Sequence, residues 1–287
     1  MKRLHSKILV DGGDPQQTAA VKQALGIVDG QTTNPSLVAK NPEIRELIST
    51  GRRLTPQEEA AEYRKIVRAI SPLVGEAGVS IEVFADLRTT AQEMVTQGRE
   101  MFSWIPNAYI KYPCTAQGLR AAEISVAEGI RVNITLCFSQ EQAAAVYAAT
   151  RGSKAPVYVS PFIGRLDDVG QNGVDLIANI KRMYERGDGH VLVLAASIRS
   201  LDHLLYCLSI PADLITVPAK ILHSWAEKGF PMPDEGFVYK PVGTRIPYHD
   251  LSLDGQWKDY PVHHDLTIKG IQQFAADYEG TLYPKAG

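Results

Sequence analysis

Two short segments of the chain read Val79-Ser80-Ile81-Glu82-Val83-Phe84 and Ala108-Tyr109-Ile110-Lys111-Tyr112-Pro113. Both consist mainly of β-branched, aromatic and other apolar residues, which favour strands. Such near-continuous apolar runs are typical of parallel strands that helices cover on both faces. Six other runs have the same character, and the eight predicted strands are residues 8–10, 27–30, 79–84, 108–112, 132–135, 157–160, 191–195 and 214–217.

Helix-start signals lie between these predicted strands. Asp14 and Thr55 each precede a proline, so each offers a capping side chain before a first-turn proline. Ser139 is followed by Gln142 at the third position, which fits a capping box. Eight strand–helix repeats in 287 residues predict an α/β fold, the (β/α)8 or TIM barrel. An open doubly wound sheet is the alternative, although no G-x-G-x-x-G motif follows a predicted strand to support it.

The sequence changes character after Gly229. Prolines interrupt residues 229–262 without any sustained periodicity, so we expect a long irregular segment there. A final helix is predicted from Asp265, with an apolar face formed by Ile268, Ile271, Phe274 and Tyr278. We therefore predict a catalytic barrel domain at residues 1–228 and a C-terminal loop-plus-helix extension at residues 229–287 that packs on the barrel. The helix is compatible with closing the barrel, covering its mouth or contacting another subunit.

The composition indicates an ordinary globular protein, with 45% hydrophobic and 22% charged residues. Thirty basic and 32 acidic side chains give a net charge of −2, so we expect no nucleic-acid partner. The polar, basic start at residues 1–6 lacks the features of a signal peptide, and no apolar run is long enough to span a membrane. The three cysteines match no metal-ligand spacing. We expect a cytoplasmic protein without a membrane segment or a metal.

Lys111 lies inside an apolar strand that Pro113 then ends. In a barrel, polar residues near the carboxyl ends of strands face the functional opening. Burying an ammonium group is costly, so a lysine in such a place either pairs with a carboxylate or loses its proton. A neutral amine is a nucleophile toward ketones. The alternatives for Lys111 are a structural ion pair and a side chain that reaches solvent.

Two acidic residues belong to other predicted strands. Asp11 directly follows the first strand, and Glu82 lies within the third, where an unpaired carboxylate would be costly. If both reach the same end of the barrel as Lys111, they supply proton donors and acceptors beside an imine-forming amine. For each acid taken alone, a cap or an ion pair explains the residue equally well.

Other hydrogen-bonding side chains end further predicted strands. Thr33 and Asn34 follow the second strand, Thr135 ends the fifth and Ser160 ends the sixth. Turn and cap chemistry is the alternative explanation for Asn34. A threonine such as Thr135 is also common in strands.

Arg165, Ser197 and Arg199 follow the sixth and seventh predicted strands. Barrel enzymes often bind a phosphate near strands seven and eight, at the start of a helix. Guanidinium groups match the geometry of phosphate oxygens. These residues therefore predict an anion site, with surface salt bridges as the alternative.

Seven segments together resemble the transaldolase family, in chain order and across residues 7–228. They are Val10-Asp11-Gly12-Gly13-Asp14, Thr32-Thr33-Asn34-Pro35-Ser36, Ser80-Ile81-Glu82-Val83, Ile110-Lys111, Asn133-Ile134-Thr135-Leu136, Ser160-Pro161-Phe162-Ile163-Gly164-Arg165 and Ala196-Ser197-Ile198-Arg199. The second and sixth segments carry most of the specificity.

The resemblance implies an enzyme with a class I aldolase-type barrel that needs no metal or organic cofactor. Lys111 would form a Schiff base with a ketose phosphate. Asp11 would move the proton of the hydroxyl whose loss drives carbon–carbon cleavage. Glu82, through a water molecule and Thr135, would handle proton transfers during imine formation. Substrate would be held by Asn34, Thr33, Ser160 and Phe162, with its phosphate on Arg165, Ser197 and Arg199.

The implied reaction transfers a dihydroxyacetone unit from sedoheptulose 7-phosphate or fructose 6-phosphate to erythrose 4-phosphate or glyceraldehyde 3-phosphate, in the pentose phosphate pathway. Sugar phosphates are the expected partners, and we expect a homo-oligomer. The first alternative is an enzyme similar to fructose-6-phosphate aldolase, which typically has glutamine and tyrosine where this chain has Glu82 and Phe162. The second is a barrel that binds sugar phosphates without catalysis.

Overall fold

Eight parallel strands close into a barrel in chain order, with β8 paired to β1, in the computed structural model of this protein. The structure describes residues 4–210, 212–234, 236–241 and 243–283, so the outer limits of the two predicted domains, residues 1 and 287, lie outside the described residues. The strands are β1 (Lys7–Asp11), β2 (Gly30–Thr32), β3 (Gly78–Glu82), β4 (Ala108–Pro113), β5 (Val132–Cys137), β6 (Val157–Pro161), β7 (Val191–Ala195) and β8 (Leu214–Pro218). The predicted (β/α)8 barrel is confirmed.

Helices alternate with the strands along the chain. They are α1 (Pro15–Leu25), α2 (Pro35–Ala39), α3 (Pro42–Ser49), α4 (Pro56–Ile70), α5 (Ala91–Phe102), α6 (Ala116–Ala127), α7 (Gln140–Ala149), α8 (Ile163–Asp167), α9 (Gly173–Tyr184), α10 (Leu201–Ser209), α11 (Ala219–Glu227) and α12 (Asp265–Glu279), with short 3₁₀ turns at Ser71–Leu73 and Trp257–Asp259. Most begin at a residue whose side-chain oxygen accepts a backbone N–H, as a stable helix start requires.

The predicted caps are present, with one difference. Asp14 accepts the N–H of Gln16, and Thr55 forms a complete capping box with α4. Ser139 accepts the N–H of Gln142 at the start of α7, as predicted. The side chain of Gln142 accepts the N–H of Phe138, one residue before the cap, at 2.7 Å. It thereby ties the preceding loop to the helix.

The second strand lies further along the chain than predicted. Residues 27–30 were expected to form it, but β2 is Gly30–Thr32, and Ile27 is 54% exposed on the connection that precedes the strand. The polar Gln31 is fully buried because its amide donates to the Gly12 carbonyl and its Oε1 accepts from Thr18. A polar strand residue with every partner supplied can be buried at little cost, so apolar content alone misplaced this strand.

Two tyrosines fill the interior near the amino-terminal ends of the strands. Tyr109 on β4 and Tyr158 on β6 stack with ring centroids 4.2 Å apart and planes inclined by 12°. Because β5 separates their strands, the two rings meet through the inside of the barrel. Barrel interiors are packed with side chains in this way, and polar side chains concentrate toward the other end.

The C-terminal extension packs on the barrel and covers its mouth. The described residues between 229 and 262 are irregular apart from the 3₁₀ turn and an isolated bridge at Thr244. Helix α12 then lies against α2 and β5, and its Thr267 hydroxyl donates to the Leu136 carbonyl at 2.9 Å. Ile271 and Phe274 of the predicted face are buried, whereas Ile268 and Tyr278 are half-buried. Of the three placements left open by the sequence, the structure shows α12 across the mouth.

The described residues contain neither a candidate membrane-spanning helix nor a candidate metal-binding cluster. Within the described ranges, no helix has the length and apolar content to cross a membrane. In the same part of the chain, no three or more His, Cys, Asp or Glu side chains gather in a way that could hold a metal ion.

Glu59 on α4 makes the stability of the fold depend on pH. Its side chain is 6% exposed, and burial raises its pKa from the ordinary value of 4.5 to about 7. Between these two values the unfolded chain has lost the proton that the folded protein still holds. Stability therefore falls as the pH rises from 4.5 to 7, and the loss is complete above that range.

We expect Glu59→Gln to remove this loss. The free energy of unfolding of the variant, relative to the parent protein, should increase by up to about 3 kcal/mol between pH 4.5 and pH 8. Urea unfolding at several pH values measures this difference. The contributions of the other titrating groups to the free energy of unfolding largely cancel in it, because both proteins contain those groups. A difference that does not change with pH would contradict the prediction.

Candidate active site

The carboxyl-terminal ends of the strands surround a cavity of about 400 Å³. It is lined by Asp11, Thr32, Asn34, Ser36, Leu37, Lys40, Lys111, Ser160, Phe162, Arg165, Ala196, Ser197, Arg199, Thr216, Gln273, Phe274 and Asp277. Eight of the eleven predicted site residues are among them, which places residues from distant parts of the sequence around one space. The other three, Thr33, Glu82 and Thr135, lie behind this lining.

Lys111 is the buried cation of the site. It is 3% exposed, and its Nζ lies 2.8 Å from Oε2 of Glu82 and donates to the Thr33 carbonyl at 2.9 Å. Glu82 is its neighbour across the β3–β4 pair, because the two residues are in register. A buried ammonium is tolerated when a carboxylate and further hydrogen bonds surround it, and both are present here.

Two carboxyl groups near Lys111 have pKa values above the usual range. Burial raises the pKa of Glu82, although the charge of Lys111 opposes the shift. Asp11 keeps partial exposure to the cavity, but the barrel wall withdraws it from bulk water and raises its pKa, again against the charge of Lys111. Carboxyl groups that lie in a cleft and have raised pKa values are suited to exchange protons near neutral pH.

The prediction that Thr33 lines the substrate cavity is not supported by its position. Its hydroxyl is fully buried on the outer side of the barrel wall, where it contacts Tyr63 and donates to the Ser80 carbonyl. Thr32 faces the cavity instead, donating to Asp11 at 2.8 Å and sharing a 2.6 Å hydrogen bond with Thr216. Alternation along an extended backbone puts Thr32 on the same side as Asn34 and Thr33 on the other.

A polar layer crosses the barrel beside Lys111. The Ser160 hydroxyl donates to Oδ1 of Asn133 at 2.7 Å, and the amide of Asn133 donates to the Ser80 hydroxyl at 3.0 Å. Thr135 lies two residues beyond Asn133 on β5, so it shares the inner face of the strand. Its Oγ1 is buried without a hydrogen-bond partner among the described residues, and its hydroxyl is therefore available to a ligand or a water molecule.

Positive charge gathers on the opposite side of the cavity. Arg165 of α8 is half-buried between the rings of Phe162 and Phe274, at 5.5 and 5.2 Å from their centroids. Burial lowers the pKa of its guanidinium, and no carboxylate among the described residues lies within ion-pair distance of it. The more exposed Arg199 donates to Asp168 at 2.8 Å. A guanidinium withdrawn from water without a direct counter-ion is suited to bind an anion.

A glycine allows the two arginine-bearing segments to approach each other. The N–H of Gly164 donates to the carbonyl of Ser197, and a Cβ at position 164 would lie 2.4 Å from that oxygen and 2.5 Å from the side chain of Arg199. Ser197 itself has a φ of 60°, in the left-handed region that is unusual for a serine. These backbone constraints hold the predicted anion-binding residues close together.

Several residues of the site were missed from the sequence. Alternation along β2 would have found Thr32. No local signal identifies Gln273, Phe274 and Asp277, because α12 reaches the cavity only through the tertiary fold. Asp277 accepts a hydrogen bond from the Ser36 hydroxyl and another, at 2.9 Å, from Gln273. The C-terminal extension is therefore part of the cavity wall.

A comparison with known families matches nearly the whole chain. The family described as "Transaldolase/Fructose-6-phosphate aldolase" matches residues 8–283, a span that contains every predicted site residue. The match also covers α12 and the whole irregular segment before it.

Individual relatives give the same result. A protein of Cereibacter sphaeroides named "Probable transaldolase" is 39% identical over 233 residues, which cover 79% of this chain and 94% of that protein. Proteins with the same name from Maricaulis maris and Paracoccus denitrificans are 35% and 34% identical, and each match covers 96% of this chain and 97% of the relative. With a barrel fold, a buried lysine at its centre and matches of this extent, the chain belongs to the transaldolase/fructose-6-phosphate aldolase family.

Proposed function

We propose that this protein is a transaldolase, which uses Lys111 to transfer a dihydroxyacetone unit from a ketose phosphate to an aldose phosphate. The observation that carries the proposal is the position of Lys111. Its Nζ lies 2.8 Å from a carboxylate on the neighbouring strand, at the wall of a cavity that also contains Arg165 and Arg199. A nucleophilic amine, a proton acceptor and an anion site thus surround one space.

The first step joins Lys111 to the ketone. Glu82 takes the ammonium proton, and the neutral amine attacks the carbonyl carbon of the donor to form a carbinolamine. Loss of that hydroxyl as water, with a proton supplied from Glu82, gives the protonated imine. Thr135 is suited to assist, because its unpartnered hydroxyl lies on the inner face of the adjacent strand.

The second step breaks a carbon–carbon bond. Asp11 accepts the proton of the donor's C4 hydroxyl, the C3–C4 bond breaks, and its electron pair moves into the imine to give an enamine on Lys111. The aldose phosphate product then leaves. An acceptor aldose phosphate reverses these events: the enamine attacks its aldehyde, Asp11 returns the proton, and hydrolysis of the imine releases the new ketose phosphate. The proton count balances over the cycle.

The phosphate groups define the substrate class. We propose that Arg165 and Arg199 bind the phosphate of donor and acceptor in turn, with the hydroxyl of Ser197 as a further donor. Sedoheptulose 7-phosphate and fructose 6-phosphate fit as donors, and erythrose 4-phosphate and glyceraldehyde 3-phosphate fit as acceptors. These are substrates of the pentose phosphate pathway, in which we place the enzyme.

Phe162 favours transfer over simple aldol cleavage. Its ring lines the cavity, and it has no hydroxyl with which to position a hydrolytic water molecule. An enamine kept from water survives until an aldehyde arrives. The alternative, an enzyme similar to fructose-6-phosphate aldolase, would release free dihydroxyacetone. Incubation with fructose 6-phosphate, with and without erythrose 4-phosphate, distinguishes the two by the product formed.

Borohydride reduction in the presence of fructose 6-phosphate tests the covalent step. We expect a mass increase on Lys111 in the parent protein and none in Lys111→Arg, because a guanidinium stays protonated and cannot attack a carbonyl. Lys181→Arg is the matched control, since Lys181 pairs with Asp213 outside the cavity. Retained turnover in Lys111→Arg would refute the assignment, and a parent protein without an adduct would favour the non-catalytic alternative.

Glu82→Gln tests proton transfer. The amide occupies the same space but cannot accept the ammonium proton, so we expect kcat to fall by about 100-fold or more while KM changes little. Glu59→Gln is the control, because it makes the same change at another buried position outside the cavity. A large rise in KM with unchanged kcat would contradict this role for Glu82.

Arg165→Leu tests the phosphate site. Loss of one charge-assisted contact should lower kcat/KM for fructose 6-phosphate by roughly 10- to 100-fold. Reductive trapping of dihydroxyacetone, which has no phosphate, should be much less affected by the same change. Equal losses with both compounds would show that Arg165 acts on the chemistry rather than on the phosphate.

A further inference from the structure

We propose that Tyr63 is a positioning residue for Lys111. From outside the barrel wall, its hydroxyl links the ends of β2 and β3, which carry the two groups that contact the Lys111 ammonium, the Thr33 carbonyl and Glu82. The proposal rests on the proposed Schiff-base function and adds a residue to it. Tyr63 does not line the substrate cavity, so it acts through other groups.

The Tyr63 side chain reaches from α4 to the barrel wall. It is 3% exposed and packs edge-on against Trp104, with ring centroids 5.9 Å apart. Its hydroxyl lies 2.5 Å from the Thr33 hydroxyl, just after β2, and accepts the backbone N–H of Glu82, at the end of β3, at 3.0 Å. One oxygen atom therefore links the ends of two neighbouring strands.

The direction of these hydrogen bonds follows from the surrounding groups. The Thr33 hydroxyl donates its proton to the Ser80 carbonyl at 2.8 Å, so in the Tyr63–Thr33 contact the tyrosine is the donor. Burial raises the pKa of Tyr63 above its ordinary value, so its hydroxyl keeps the proton that it donates. The Tyr63 hydroxyl thus donates one hydrogen bond, to Thr33, and accepts another, from the backbone N–H of Glu82.

The same two residues bind Lys111 from the inside of the barrel. The Thr33 carbonyl accepts from Nζ at 2.9 Å, and Oε2 of Glu82 lies 2.8 Å from it. Tyr63 thus contacts Thr33 and Glu82 on one side of the wall, and Lys111 contacts them on the other. Because the two strand ends are fixed relative to each other, the amine is held in one place.

A small displacement of the amine should affect chemistry more than binding. Misplacement of a reacting group by ~1 Å can slow a reaction about 100-fold. Arg165 and Arg199, the proposed phosphate-binding residues, lie on other segments of the chain, so we expect phosphate binding not to depend on this linkage. Loss of the hydroxyl should therefore lower kcat and leave KM nearly unchanged.

Tyr63→Phe tests the proposal, with Tyr184→Phe as the matched control. Tyr184 donates to the Ala143 carbonyl at 2.7 Å, away from the cavity, so the control loses one tyrosine hydrogen bond where Tyr63→Phe loses two. The rate of forming the borohydride-trappable adduct with fructose 6-phosphate is measured in a single turnover, alongside kcat, KM and the melting temperature. We expect adduct formation and kcat about 10- to 100-fold slower in Tyr63→Phe, KM within about threefold, and little change in the control.

A double-mutant cycle separates positioning from a general loss of stability. Thr33→Val removes the hydroxyl that Tyr63 contacts, whereas Thr33→Ser keeps it. We expect Thr33→Ser to react nearly as fast as the parent protein. Thr33→Val should be slow, and adding Tyr63→Phe to it should cause little further loss, because both changes remove the same linkage.

The outcomes distinguish this proposal from the one on which it rests. If the parent protein forms no adduct on Lys111, the proposed function fails. If it forms one and Tyr63→Phe reacts at the same rate, the positioning role of Tyr63 is refuted while the function stands. Should Tyr63→Phe not fold, the Thr33 variants decide, and equal adduct rates in Thr33→Val and Thr33→Ser would refute the proposal.

Discussion

The buried ion pair between Lys111 and Glu82 is the interaction on which the site depends. Two charges withdrawn from water cost more than their attraction returns unless further polar groups surround them. Here the fold supplies those groups from neighbouring strands, with the Thr33 carbonyl accepting from the ammonium and the pair held in register on β3 and β4. The same environment raises the pKa of Glu82 and so prepares it to receive a proton. Burial of the pair therefore has two effects: it costs free energy of folding, and it raises the pKa of the Glu82 carboxyl group.

The closed barrel lets this pair exist without a separate domain to shield it. Strand alternation sends one set of side chains outward into the helix layer and the other set inward. Tyr109 and Tyr158 fill the interior toward the amino ends of the strands, and inward polar side chains such as Asn133 and Ser160 hydrogen-bond across it. Helix α12 then covers the open end and contributes Phe274, whose ring contacts the Arg165 guanidinium. The C-terminal extension thus completes the wall of the cavity beside the predicted anion-binding residues.

Much of this could be predicted from the sequence because it depends on local patterns. Apolar runs located seven of the eight strands, and caps such as Asp14 and Thr55 located helix starts. The prediction of β2 was wrong because Gln31 is polar and yet buried, its partners coming from α1 and the β1–α1 loop. The prediction named Thr33 as a substrate-binding residue, but side chains alternate along an extended chain, and Thr32 is the one that faces the cavity. The contribution of α12 depends on tertiary packing, which no local pattern reports.

The stacked pair of Tyr109 and Tyr158 has a consequence for the order of events. Tyr109 lies two residues before Lys111 on β4, and Tyr158 lies two residues before Ser160 on β6. Their stacked rings therefore fill the interior on the amino-terminal side of Lys111, and a ligand in the cavity has no passage in that direction. In the proposed reaction, both aldose phosphates would enter and leave the cavity through the mouth of the barrel. Under the proposed function, the first product leaves before the second substrate enters. We therefore expect ping-pong kinetics, with parallel lines in double-reciprocal plots at different acceptor concentrations.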